Sequence, residues 1–418
     1  MSDLIQPIDT PSQLITAARS LRRVLSETVL TPEEQVPLFE AWAAALDTRD
    51  LDAIPGVVFL RLWLRRGTLE PMLIRELGPS AVRGDWTEHG RARLRAFPVG
   101  VLGHWPAGNI EIQPILSMTC GLMGGNAALV RIPPDLVDVT RVLMERLTAG
   151  DNCQQLVRRM FLATFDHARQ DLQEAMAQSV DGAMIWGGKE AVLTVRSLPF
   201  PHWARLAVFG PRKSVAAMDA EAWSDQRKRE AWCQRLARDV WQFDQQACSS
   251  PQVLFLEKTP GASAPEFLSA LERAFATENR LHPRRAMPVA LTSAICRARA
   301  SWLLEDPTHR AVFPPGPDWT LLLGSGSRMP EPTQGRTLTV LEVDDLREPI
   351  SEFEGDVQTL GLAIADSSKE TALALLAGSR GVDRVVKLGR MHVFSSPWDG
   401  ADLIRPMVRW VRYVASTE

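Results

Sequence analysis

Val99-Gly-Val-Leu-Gly-His-Trp-Pro-Ala-Gly-Asn109 opens as an apolar run and ends in a loop of proline and glycine. Ile112 to Met123 follows with the apolar density of a buried helix, and Gly124-Gly-Asn-Ala-Ala-Leu-Val-Arg-Ile-Pro-Pro134 reads as turn, strand and stop. Strand, loop, helix and strand in that order form a βαβ unit, which commits the chain to an α/β sheet. Ligands of such sheets lie beyond the carboxyl ends of the strands, where His104 to Asn109 and Arg131 to Pro134 fall.

Upstream, the first ninety residues read as helices. Thr10-Pro11 and Thr31-Pro32-Glu33-Glu34 are helix starts with a cap and an early proline, and Leu14, Ala17, Leu21 and Val24 recur at helical spacing. Gly90 to Pro98 alternates like a half-exposed strand. Downstream, Gln170 to Ala177 reads as a helix, Gly182 to Trp186 as a strand closed by Gly187 and Gly188, and Leu206 to Ser214 as one further strand. These alternations indicate a doubly wound α/β domain. Beyond a charged helix from Ser224 to Val240, strands at Val253–Leu256, Trp319–Leu323, Thr337–Val343 and Arg384–Leu388, with helices between them, form a second α/β unit. Glu331 to Thr337 reads as a surface loop, and a short helix is expected shortly before Arg409.

The bulk numbers exclude several classes of function. With 47 basic and 50 acidic residues the net charge is -3, so bulk electrostatics offers no reason to expect nucleic acid as a partner. The five cysteines are scattered without Cys-x-x-Cys spacing, which argues against a zinc site or a disulfide framework and fits a cytoplasmic protein. No metal site is expected. No run approaches a membrane span of about 18 apolar residues.

Cys248 stands on the connection Phe243-Asp-Gln-Gln-Ala-Cys-Ser-Ser-Pro-Gln252, between small neighbours that leave room for a substrate. That is the setting of an attacking thiolate, although a free cysteine also serves as a small buried apolar residue. Cys120 and Cys296 lie in apolar runs and read as core. There is no Gly-x-Gly-x-x-Gly fingerprint, no phosphate loop and no Gly-x-Ser-x-Gly elbow.

Four stretches in order, His104-Trp-Pro-Ala-Gly-Asn109, Gly125 to Pro134, Ile185-Trp-Gly-Gly-Lys-Glu190 and Phe243 to Gln252, resemble the aldehyde dehydrogenase superfamily, most closely its LuxC-type acyl-CoA reductases. Val208-Phe-Gly-Pro-Arg-Lys-Ser214 and Pro397-Trp-Asp-Gly400 agree. The resemblance implies an aldehyde dehydrogenase-like fold: two Rossmann-like α/β domains, an N-terminal helical layer and an oligomerisation segment. Residues 1–212, completed by about 396–418, would carry the helices and the nicotinamide-binding domain, 213–395 the catalytic domain, and 90–98 with 404–418 would join subunits of a homo-oligomer.

By the same resemblance Cys248 is the nucleophile, and Asn109 with the Cys248 N–H holds the oxyanion; the alternative for Asn109 is a turn cap. Cofactor contacts would come from His104, Trp105, Pro106, Arg131, Trp186, Gly187, Gly188, Phe209 and Gly210. An arginine fork at 131 suits a 2′-phosphate, which favours NADPH over NADH, or is an ordinary arginine ending a strand. Relatives that oxidise aldehydes carry a water-activating glutamate where this chain has Val208-Phe-Gly-Pro-Arg212, so the acyl-enzyme should resist hydrolysis. The implied reaction is NADPH-dependent reduction of an acyl-CoA or carrier-protein acyl thioester to an aldehyde. Glu331 is a candidate for the nicotinamide ribose in an uncertain register. The alternative function is a non-reducing acyltransferase or acyl-carrying subunit that loads Cys248.

Overall fold

The computed structural model describes residues 4–150, 153–284 and 287–414. Its strands are β1 (Ile5–Pro7), β2 (Thr87–His89), β3 (Ala92–Pro98), β4 (Val101–Trp105), β5 (Ala127–Ile132), β6 (Met160–Thr164), β7 (Gly182–Trp186) and β8 (Arg205–Phe209). They continue as β9 (Lys213–Met218), β10 (Pro251–Glu257), β11 (Arg310–Val312), β12 (Thr320–Ser325), β13 (Thr337–Val343), β14 (Val357–Ala363), β15 (Arg384–Lys387) and β16 (Val408–Tyr413). The chain divides into two units, residues 1–210 with 394–418 and residues 211–393.

The first unit holds a parallel sheet in the order β1-β6-β5-β4-β7-β8. Every residue of β4, β5 and β7 is buried, as expected of strands covered on both faces. The helix Pro11–Glu27 lays Leu14, Ala17, Ala18 and Leu21 on that core, and its start is fixed by a capping box of Thr10 and Gln13. Gly100 has φ +143, and a Cβ there would stand 2.3 Å from the Asp181 carboxylate, which accepts from the Val101 N–H. Only glycine fits that approach.

A separate three-stranded antiparallel sheet, β16-β3-β2, joins the two segments read as subunit-joining elements: Val408 pairs with Pro98 and Tyr413 with Arg93. The last four residues of the second segment lie outside the described residues. Glu76, fully buried, anchors the approach to β16 by accepting from the backbone N–H groups of Leu403, Ile404 and Arg405.

The second unit holds the order β11-β12-β13-β10-β9-β14-β15, parallel except for β11. Its core packs Val215, Ala217, Phe255, Leu341 and Leu360 on one face and Met218, Leu254, Phe267 and Phe275 on the other.

Three readings of the sequence need correction. Leu206–Ser214 is not one strand: β8 ends the first sheet at Phe209, and β9 starts a central strand of the second at Lys213. The first ninety residues are not all helical, since Ile5–Pro7 pairs in parallel with β6 and Thr87–His89 pairs antiparallel with β3. The stretch before Arg409 forms a single tight turn, Arg405–Met407, because Pro406 and the entry into β16 leave no length for a helix.

Candidate active site

Cys248 sits on the turn that enters β10, at the amino ends of β9, β10 and β14. The turn is held on every side. Ser214 of β9 donates its hydroxyl to the Cys248 carbonyl at 2.6 Å and accepts from the Thr359 N–H. Gln245 donates to the carbonyls of Pro251 and Thr337 and accepts from the Thr337 N–H at 2.7 Å, so its side chain caps β13 rather than reaching toward a substrate.

Ser249 is bonded to His392 Nδ1 at 2.9 Å, and His392 Nε2 lies 2.7 Å from the Asp239 carbonyl. Burial, with the Arg384 charge nearby, pushes the His392 pKa down to about 4. The ring is therefore neutral near pH ~7, its Nε2–H donates to the carbonyl, and Nδ1 accepts the Ser249 proton. That bond holds Ser249 in place beside Cys248.

The backbone before Cys248 is strained. Phe243, Asp244 and Gln245 take φ of 56°, 51° and 62°, and Gln334, Gly335 and Arg336 take 64°, 62° and 58°. Left-handed non-glycine residues cost about 1–2 kcal/mol each. The two runs hold each other: Arg336 Nε donates to Asp244 at 2.6 Å, and Gln245 pairs with Thr337. The loop read as exposed thus has a buried end at Gly335–Thr337, while Glu331 is exposed.

Two β-bulges flank Ser214: the register slips between Pro251 and Val253 on β10, and between Val357 and Thr359 on β14. The second slip leaves Gln358 out of register, and its amide Nε2 donates to Cys248 Sγ at 3.2 Å. Cys248 itself is half-buried.

At the carboxyl edge of the first sheet the predicted side chains turn inward. His104 is fully buried with Nδ1 2.9 Å from Ser117 Oγ, which also accepts from Trp186 Nε1 at 2.8 Å; burial takes the His104 pKa down to about 3. Trp105 packs in the core and donates to Gln173 at 2.7 Å, while Trp186 and Phe209 stack with centroids 3.8 Å apart. Any cofactor contact from His104 or Trp105 would fall to their main chain. Pro106 is buried beyond β4, and Asn109 lies on the exposed turn that follows.

What this edge leaves open is backbone. Gly188 caps the helix Lys189–Arg196, and positions for a Cβ on Gly188 and Gly210 have nothing within 4 Å; Gly187 takes φ +156. Open glycines beside the first N–H groups of a helix are suited to a diphosphate, so these residues fit a dinucleotide. Arg131, at the end of β5, is mostly buried against the Phe165 ring, and its Nε has no partner among the described residues. Burial lowers its pKa, and the charge of Asp166 partly offsets that.

Sequence reasoning singled out Cys248 but not the residues the structure gathers around its turn, Ser214, Gln358, Arg384 and His392. The available signal was the polar pair Gln358-Thr359 opening an otherwise apolar strand.

Solved structures place this architecture in the aldehyde dehydrogenase fold. An NADP dependent enzyme of E. coli superposes with a TM-score of 0.72 at 13% identity, covering 96% of this chain and 90% of that one. Betaine aldehyde dehydrogenase of Staphylococcus aureus, solved with NAD+, gives 0.70 at 13%, covering 98% and 91%. The model of the acyl-CoA reductase (LuxC) family matches residues 41–410, and the chain belongs to that family. The long-chain acyl-protein thioester reductase of Vibrio harveyi is 23% identical over 360 residues, 84% of this chain and 71% of that protein. The chain is accordingly an acyl thioester reductase, and its family and fold imply a nicotinamide cofactor. Among the described residues no helix is long and apolar enough to cross a membrane.

Proposed function

We propose that this chain reduces a long-chain acyl group, carried as a thioester on a protein or on coenzyme A, to the aldehyde through a thioester on Cys248. The observation that carries the reading is the Cys248 sulfur on a pinned, strained turn with an amide donor 3.2 Å away. Sulfur attacks the thioester carbon and the carrier thiolate leaves, taking up a proton. Asn109 and the Cys248 N–H are our candidates for the oxyanion donors; losing one such donor typically costs about 3 kcal/mol. Bound NADPH supplies the hydride that takes the thioacyl group to the aldehyde level. Cys248 then departs with its electron pair and is restored.

Gly187, Gly188, Gly210 and the main chain at His104 to Pro106 are assigned to the cofactor, and Arg131 to a 2′-phosphate. A guanidinium fork at the carboxyl end of β5 supports that last choice. The cytoplasm suits its free cysteines. The β16 edge of the small sheet is our candidate surface for self-association.

The test mixes protein with NADPH or NADH and a panel of acyl-CoA and acyl-carrier-protein thioesters, with Cys248→Ala in parallel. Consumption of reduced nicotinamide with release of aldehyde, both lost in Cys248→Ala, supports the reading. An acyl adduct on Cys248 without oxidation would instead make the chain an acyl carrier. Neither oxidation nor adduct would overturn Cys248 as the nucleophile.

A further inference from the structure

The hydrogen bond onto Cys248 is the last of a directed series. Arg384 Nη1 donates to Thr359 Oγ1 at 3.1 Å, Thr359 Oγ1 donates to Gln358 Oε1 at 3.3 Å, and Gln358 Nε2 donates to Cys248 Sγ at 3.2 Å. A guanidinium has donors only, so the threonine oxygen accepts from it and its proton points onward to the amide oxygen. The amide is thereby oriented, with N–H facing sulfur. Arg384 is itself fixed, buried and bonded to the carbonyls of Met391 and Val393. The β14 bulge is what brings Gln358 out of the strand register to reach the turn.

We propose that Gln358 is a catalytic residue that stabilises the Cys248 sulfur as a thiolate, both before attack and when it departs, with Thr359 and Arg384 as the positioning residues that keep its N–H turned to sulfur. A donor facing a group that carries charge in only one of its states favours the charged state, and donors aligned in series polarise one another. Among the described residues, the charged or titratable groups around the turn include Lys213, paired with Asp356 at 2.8 Å, Asp244, held by Arg336, and the neutral His392 with Asp239 behind it.

The proposal rests on Cys248 as the nucleophile, and the test needs neither thioester nor cofactor. The full chain is treated with iodoacetamide, forming a carbon–sulfur bond with loss of iodide, at a series of pH values. Each cysteine is then quantified by peptide mass spectrometry, with Cys296 as internal reference: the sequence reads it as core, but it stands exposed on its helix. In the unaltered protein Cys248 reacts faster than Cys296 near pH ~7. Gln358→Met keeps the length and removes the donor: the Cys248 midpoint rises by about one pH unit and its rate near neutrality falls about tenfold against Cys296. Thr359→Val, close in shape, moves both in the same direction by about threefold in rate. An unchanged ratio in folded Gln358→Met overturns the proposal. Should that variant not fold, an unchanged ratio in Thr359→Val does the same. A Cys248 that reacts no faster than Cys296 in the unaltered protein overturns the proposal and the nucleophile together, whereas a reactive Cys248 indifferent to Gln358 overturns the proposal alone.

Discussion

At the carboxyl edge of the first sheet the large side chains turn inward: His104 and Trp186 meet on Ser117, Trp105 on Gln173, and what remains at the surface is glycine backbone. At the amino edge of the second sheet the pattern reverses. Bulges on β10 and β14 break the strand register there, and Ser214, Gln358 and, through Ser249, His392 converge on the Cys248 turn. A dinucleotide diphosphate can be bound by main-chain N–H groups, whereas a nucleophile must be tuned by side chains. On the function proposed above, one protein contains two ways of preparing a sheet edge.

The hardest test of that contrast is Cys248→Ala, which should lower thioester reduction by ~1,000-fold or more while leaving the melting temperature nearly unchanged. Trp105→Ala should do the opposite, costing about 3–5 kcal/mol of stability through the cavity it leaves. Should Trp105→Ala instead reduce turnover in a chain of full stability, the inward reading of the first edge fails.

Acid provides the next largest effect. His104 and His392 are held neutral by burial, with pKa values of about 3 and about 4, while the unfolded chain takes up these protons near pH ~6.5. Stability from both is full above that pH and is lost as pH falls toward each folded value. Asp239 acts in the opposite sense: burial raises its carboxyl to about 7, so stability falls as pH rises from the ordinary carboxylate range to that value. Acidification therefore gains from Asp239 in the second unit about what it loses from His392. The first unit has His104 without this offset and should lose about 3 kcal/mol by pH ~4. Peptide-resolved hydrogen exchange should show the first unit opening first, and His104→Gln should delay it. If the second unit opens first, the compensation is absent.

Gly188→Ala and Gly187→Ala sharpen the picture of the first edge. A methyl at Gly188 meets nothing in the protein, so the fold should be unaffected while NADPH affinity, measured by fluorescence titration, drops about tenfold. At Gly187, with φ +156 and Ala191 3.3 Å from the added carbon, stability should fall as well, by about 1–2 kcal/mol. Equal binding by Gly188→Ala would remove that glycine from the cofactor site. The smallest effect belongs to Trp186→Phe, which keeps a ring on Phe209 but loses the bond to Ser117; about 1 kcal/mol should disappear from chemical denaturation and nothing from turnover.

Much of this was legible in the sequence. The βαβ core from Val101 to Ile132 showed because fully buried strands are apolar throughout and punctuated by glycine and proline. Cys248 showed as a small-residue turn. The split at Gly210 did not, since β8 and β9 are separated by three residues and share one apolar pattern. The three residues of β1 are too few to carry a period. Gln358 lies 110 positions from Cys248, and no local pattern encodes a bulge that turns a side chain onto a distant sulfur. Likewise His104 carries no mark in sequence of facing Ser117 rather than solvent.

The interlock between the two left-handed runs bears on when the site comes into being. Asp244 and Gln245 keep their conformation through Arg336 and Thr337, some ninety positions later. A nascent chain whose ribosome has not yet passed residue 337 has Ser214 for the cysteine turn but lacks the partners of Asp244 and Gln245. If Cys248 is the nucleophile proposed above, its turn is completed only once most of the second unit has been synthesised.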